Sequence, residues 1–356
     1  MGPANGESQR EPDRDLDRER DVVKRAAIYG DRDGDRVSDR VDQRVIPPTP
    51  RAPEPRSGLG PRGHALFERL FGQSQKPARH AAAKREAPVV AIASGKGGTG
   101  KSFLSTSLAI VLHRMGYRTT LVDCDFGLAC DHLLLGVKPG AHLQHVLTGR
   151  IRVGEIRTTT PHGPTLVPGV TGVRQMAQLT ELEMRAFGDA IAELAAEEDV
   201  VLLDTGAGLG PQTVLTLCAA DHVVVVTQPE IAALTDAYAV VKTLSQVSAG
   251  PSVSIVVNRV QEDGHGDATY AKLHDVSNQH TGVDLEFLGS IDDDPLVTQR
   301  RLGQAPLVVS EPEGRIARAV REVATSLVRL AGPLAPRERG VGQGIAERLA
   351  AHQRIV

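Results

Sequence analysis

From residue 87 onward, short runs of Val, Ile and Leu alternate with longer stretches in which apolar residues recur every three or four positions. The runs predict β-strands at 88–94, 118–123, 199–204, 222–227, 252–258 and 286–290. Several are apolar at nearly every position, as strands covered on both faces are, which indicates a mostly parallel sheet between two helical layers. The stretches between them predict helices at 101–115, 181–196, 211–219, 231–248 and 313–330. Strand–helix alternation of this kind is the pattern of a doubly wound α/β domain, here assigned to residues 87–332.

The pattern is absent before that domain. Residues 1–86 read as a charged, Pro-rich disordered arm: acids alternate with Arg up to Arg44, and residues 47–61 are rich in Pro and Arg. One island, 64–72, places Leu66, Phe67, Leu70 and Phe71 on one face of a short helix, with Arg62 and Arg69 beside it. Two readings stay open for it: a surface anchor for a membrane or partner, or a helix that folds back onto its own domain. The tail, 333–356, carries a weak helical pattern with Ile345 and Leu349 one turn apart.

Composition narrows the function classes. With 41 Lys+Arg against 44 Asp+Glu the net charge is −3, which excludes a globally basic nucleic-acid binder. Aromatics are 3% with no Trp, against a surface that stacks single-stranded bases. Cys124, Cys130 and Cys218 show no CxxC spacing, build no disulfide framework and fit a reducing, cytoplasmic setting. No apolar run approaches the roughly 18–20 residues of a membrane span, so any membrane association is expected to be peripheral.

The chemistry is concentrated in Gly95-Lys96-Gly97-Gly98-Thr99-Gly100-Lys101-Ser102, which fits G-x-x-x-x-G-K-[ST] without a mismatch. It follows a predicted strand and opens a predicted helix, the context a phosphate-binding loop requires. Glycines let backbone N–H groups curl around phosphates, and the helix N-terminus adds a positive field. Lys101 is expected to reach the β- and γ-phosphates of ATP and Ser102 to ligate Mg²⁺. Lys96 is a second lysine within the loop. With Lys101 already on the nucleotide, Lys96 is free to supply charge to a nucleotide held by a second subunit.

SGKGGTGKS resembles the deviant P-loop of the MinD/ParA class of dimerising ATPases. VDCDFGLACDHLLLG, LLDTGAGLGPQTVL, VVVVTQPEIAALTDAYAVVK and VVNRV follow in the order that class shows, over roughly residues 87–330, and TGAG and TDAY are most similar to its FlhG/FleN branch. The resemblance implies a P-loop ATPase that dimerises on ATP, hydrolyses it slowly with partner stimulation, and regulates the position or number of a cellular structure such as the flagellum or division site. It implies that Asp125 orients the attacking water beside the metal, that Asp204 holds Mg²⁺ through a water, and that Asn258, with Arg259 beside it, meets the adenine. It also implies a homodimer; a membrane surface reached through 64–72 or the tail, and a protein partner for the arm, are expected beside it, with non-specific DNA as a lesser alternative.

There are departures: Cys130 and His132 stand where the class carries Asn and Asp, with Asp131 between them, and Asp292 stands where proline is usual. Cys130 with His132, and His142 with His145, are too few ligands for a metal site. Two other functions remain open. One is a ParA-like ATPase on non-specific DNA, using a basic face of Arg300, Arg301, Arg315, Arg318, Arg321 and Arg329; the other is a nucleotide-binding scaffold with little turnover. A metal-cluster carrier is set aside, because no cysteine follows Cys218, and so is a tyrosine kinase, because there are four Tyr and no C-terminal cluster.

Overall fold

The computed structural model describes residues 87–170, 179–247, 250–301 and 303–330. The arm, its predicted helix at 64–72 and the tail at 333–356 lie outside the described residues. Strand β1 (Val89–Ala93) leads into helix α1 (Lys101–Arg114) and then β2 (Thr119–Cys124). Three short helices follow, α2 (Asp131–Leu134), α3 (Leu143–Leu147) and α4 (Val153–Ile156), and then a hairpin of β3 (Thr158–Thr159) and β4 (Thr165–Val167). Next come α5 (Glu181–Glu197), β5 (Val200–Thr205), α6 (Pro211–Ala219), β6 (His222–Thr227) and α7 (Ile231–Ser245). The order continues with β7 (Ser252–Val260), α8 (His265–Thr281), β8 (Glu286–Asp292), α9 (Pro295–Thr298), α10 (Leu307–Ser310) and α11 (Arg315–Leu330).

The strands form one sheet in the order β3-β4-β2-β5-β1-β6-β7-β8. Every pair is parallel except the β3–β4 hairpin at one edge. The near-continuous apolar runs have the cause inferred from sequence. In β1, Val89, Ala91 and Ala93 face a core built with Phe187 and Ile191 of α5, Leu215 of α6 and Val240 of α7. Val90 and Ile92 face the opposite core, made by Leu104 and Leu108 of α1 and Val320 and Val323 of α11. Each fully buried side chain of this size contributes about 1.5–3 kcal/mol.

All six predicted strands and all five predicted helices are present, with ends shifted by up to about three residues, as frayed termini allow. Other elements are new. The β3–β4 hairpin extends the sheet beyond β2, α8 fills the crossover between β7 and β8, and the short helices α2, α3, α4, α9 and α10 lie in the connections. The chain passes from β1 to one side of the sheet for β2 and to the other for β6. A cleft opens above the carboxyl ends of the strands at such a reversal, and the loop after β1 sits in it.

Candidate functional site

The loop between β1 and α1 is held from outside by three side chains. Ser94 Oγ donates to the Lys96 carbonyl (2.7 Å), Gln228 Nε2 to that of Gly98 (3.2 Å) and Asn258 Nδ2 to that of Thr99 (2.7 Å). In a trans peptide the N–H points opposite its C=O, so the N–H groups of Gly97, Thr99 and Gly100 are turned away from these anchors. The loop bends through left-handed geometry at Gly98 (φ 78°) and Gly100 (φ 97°), positions that disfavour any other residue. Gly95 is required by packing: a Cβ there would stand 2.3 Å from the backbone oxygen of Asp236 in α7.

The two lysines of the motif are separated. Lys101 begins α1 and is buried, close enough to Asp204 for its ammonium to act on that carboxylate. Lys96, near the start of the loop, has its Nζ 2.8 Å from Oε2 of Glu230, the residue before α7. Ile231, the next residue, is 86% exposed, and Leu128, three residues beyond Asp125, is 75% exposed.

The acids come from neighbouring strands. Asp123 of β2 is in register with Asp204 of β5. Asp204 Oδ1 accepts from Ser105 Oγ (2.8 Å), and the Ser102 hydroxyl also reaches it. Burial raises the Asp204 carboxyl above the usual range against the pull of these hydroxyls and of Lys101. Asp123 is pushed up to about 7, first by burial and then by Asp204. Asp131, fully buried, is held well above the ordinary value by burial, then by Asp204 and Asp123. Asp125 stands apart, half-buried; its Oδ1 accepts from the N–H of Gly127 (3.0 Å) and Leu128 (2.9 Å), which leaves Oδ2 outside that turn. Gly206 lies beside this carboxylate, and Gly208 donates its N–H to the carbonyl of Ser94 (3.0 Å).

Asn258 ends the apolar part of β7, with one amide hydrogen committed to Thr99. The other hydrogen and Oδ1 remain for a ligand. Arg259 follows at a bulge between β7 and β8, with φ 58° and its side chain exposed. Asp292, in place of a proline, instead meets Arg315 (3.6 Å). Cys130 places its thiol against the Ser102 hydroxyl, and burial raises its pKa. The Nδ1 of His132 is buried without a hydrogen-bond partner. His142 and His145 lie against each other with rings tilted by 40°, centroids 4.1 Å apart.

Hard oxygen donors therefore converge at the start of α1: the Ser102 hydroxyl, the Asp204 carboxylate and the carboxyl of buried Asp131, which meets Asp204 and receives no backbone N–H or hydroxyl. This set fits a small divalent cation. Among the described residues no group of three His, Cys, Asp or Glu is arranged to cage a metal without other ligands. A cation carried with a nucleotide needs no such cage, since phosphate oxygens and waters complete its shell. Sequence reasoning named the loop, Asp125, Asp204, Asn258 and Arg259, and the structure brings all of them to this end of the sheet except the outward-facing head of Lys96. It missed Ser105, Gln228, Glu230 and Asp236. The segment Gln228-Pro229-Glu230 directly after the β6 run was the available signal for two of them. The cavity of about 530 Å³ lined by His113, Arg118, Arg157 and Glu198 is elsewhere, where β2 begins, and is spanned by ion pairs.

Residues 90–307 match the family described as the CobQ/CobB/MinD/ParA nucleotide binding domain. The chain belongs to this family. Among curated relatives of this MinD/ParA-family chain, the antiactivator FleN of Pseudomonas aeruginosa is 31% identical over 264 residues, covering 74% of this chain and 94% of that protein. The flagellum site-determining protein YlxH of Helicobacter pylori is 34% identical over 241 residues, covering 67% and 81%. Among solved structures, the septum site-determining protein MinD of Pyrococcus horikoshii, complexed with Mg-ADP, superposes with a TM-score of 0.59 at 27% identity, covering 70% of this chain and all of that one. The resemblance to the FlhG/FleN branch and the doubly wound P-loop fold both agree with these likenesses. No helix among the described residues is long and apolar enough to cross a membrane.

Proposed function

We propose that this chain binds Mg-ATP at the loop 95–102, closes face to face with a second copy, and is released when the ATP is hydrolysed. In this reading Lys101 and the loop amides hold the phosphates, and Ser102 and Asp204 hold the cation, Asp204 through a water. Asp125 orients the attacking water by its outward oxygen, and Asn258 reads the adenine with Arg259 at the rim. Bound magnesium supplies charge neutralisation on the phosphate oxygens. The switch regulates where, or how many times, a cellular structure is built. The flagellar relatives and the septum protein MinD support this class of role. The setting is cytoplasmic, with peripheral attachment to a membrane through 64–72 or the tail and a protein partner for the arm.

The observation that carries the reading is the position of Lys96. A lysine inside a phosphate loop whose head group lies on Glu230, near exposed Ile231, supports a role on a partner's phosphates. A clean change from monomer to dimer, 1:99 to 99:1, requires ATP to favour the dimer by about 5.5 kcal/mol. Light scattering with Mg²⁺ and a non-hydrolysable ATP analogue tests this. The wild type should double in mass, Lys96→Ala should stay single and release phosphate far more slowly, and a wild type that stays single would refute the reading.

The DNA reading loses support from the arginines themselves. Arg315 meets Asp292 and Asp294, Arg321 meets Glu313, and Arg300 is spent on the carbonyls of Gln304 and Ala305.

A further inference from the structure

Asp131 is a buried acid beside the cation-fitting oxygens, and the proposed function gives it no role. It opens α2 and is fully shielded from solvent; no backbone N–H or hydroxyl donates to either carboxylate oxygen, and its one side-chain hydrogen-bond partner is the neighbouring carboxyl of Asp204. The groups facing it are themselves acids, Asp204 and then Asp123. These two are provided for: Asp123 accepts the backbone N–H groups of Asp125 (3.2 Å) and Asp131 (3.1 Å), and Asp204 accepts the hydroxyls of Ser105 and Ser102. The cation acting on Asp204 is Lys101, one positive charge beside three carboxyl groups. A carboxylate buried without a donor must take up a proton or meet a cation. Were the position only a matter of packing, an apolar side chain would fill it at lower cost.

We propose that Asp131 is a metal-positioning residue: together with Asp204 it holds the water shell of the divalent cation that accompanies the nucleotide. The inference rests on the nucleotide-site reading given above. Its geometric support is the contact between Cys130, the residue before it, and Ser102, which packs this stretch of chain against the start of α1. A small hard cation keeps several of its waters when bound, and those waters need acceptors of the kind Asp131 presents. Removing such an outer acceptor characteristically weakens metal binding by about 10- to 100-fold.

The test titrates Mn²⁺, followed by electron paramagnetic resonance, into the full chain saturated with ADP, comparing wild type with Asp131→Asn. The variant should bind Mn²⁺ at least about tenfold more weakly. Its ADP affinity in EDTA should be unchanged, because without the cation Asp131 has no ligand to serve. Without metal the variant should melt at or above the wild-type temperature. Should the Asn variant fail to fold, Asp131→Ser provides the same comparison. Equal Mn²⁺ affinity in wild type and variant overturns the inference. So does a loss of ADP binding in EDTA equal to the loss with metal, which assigns Asp131 to packing. A wild type that binds no ADP under either condition overturns the nucleotide-site reading and this inference together, a result distinct from the other two.

Discussion

A Cβ on Gly100 would stand 2.2 Å from the Nδ2 of Asn258, the atom that anchors the carbonyl of Thr99. The last glycine of the loop and Asn258, near the end of β7, are thus fitted to each other. Gly100→Ala must displace the amide and also hold alanine at φ 97°, a strained conformation. ADP affinity should fall by more than about tenfold, and thermal stability should fall by about 1–3 kcal/mol. Calorimetric titration and melting measure the two, and an unchanged affinity would show that the Gly100–Asn258 fit is not needed for binding.

Glu230 and Lys96 pair at the surface, with 61% and 31% of their side chains exposed. An ion pair in that setting is worth at most about 1 kcal/mol and is screened by salt. Glu230→Gln should therefore leave the melting temperature nearly unchanged and alter ATP-dependent dimerisation by no more than about fivefold, with the effect fading in high salt. Sedimentation at two ionic strengths reads this. An effect as large as that of Lys96→Ala would give Glu230 a role beyond holding the lysine.

Asp125→Asn keeps an acceptor oxygen for the turn made with Gly127 and Leu128 while removing the negative charge. The variant should fold and dimerise with ATP as the wild type does, yet release phosphate about 100-fold more slowly or worse. A phosphate-release assay beside light scattering separates the two properties. Normal turnover would move the role of Asp125 to another residue.

His222 lies between two hydroxyls, Nδ1 2.6 Å from Ser252 Oγ and Nε2 2.7 Å from Ser254 Oγ, and burial lowers its pKa to about 4. The folded pKa is below the unfolded value of about 6.5, so the unfolded chain binds the extra proton first. The associated stability is fully present above pH ~6.5 and is lost as pH falls toward 4, up to about 3 kcal/mol. His222→Gln should flatten that part of a denaturation-against-pH profile between those values, and an unchanged profile would show that another group governs it.

The sheet and the loop were legible in the sequence because both are local. The apolar runs around β1, β5 and β6 and the contiguous residues 95–102 announce themselves without a tertiary partner. Helix α8 was not legible, because its buried seam is Gly266, Thr269, Leu273 and Ser277, with one large apolar residue among them. Its boundary glycines, Gly264 and Gly282, both at positive φ, were the remaining signal. The β3–β4 hairpin, of two and three residues, is too short to show an alternation. The partners that set the loop, Gln228 and Asp236, lie more than a hundred positions away and are ordinary residues at a strand end and in a helix. The isolation of Asp131 is likewise a property of what surrounds it, and no local pattern encodes that.

Three anchors from the ends of three neighbouring strands grip the loop by its carbonyls. An incoming nucleotide thus meets a preorganised cradle and gives up little of its affinity to ordering the backbone. In the proposed cycle, the free energy of binding saved in this way is what draws two copies together.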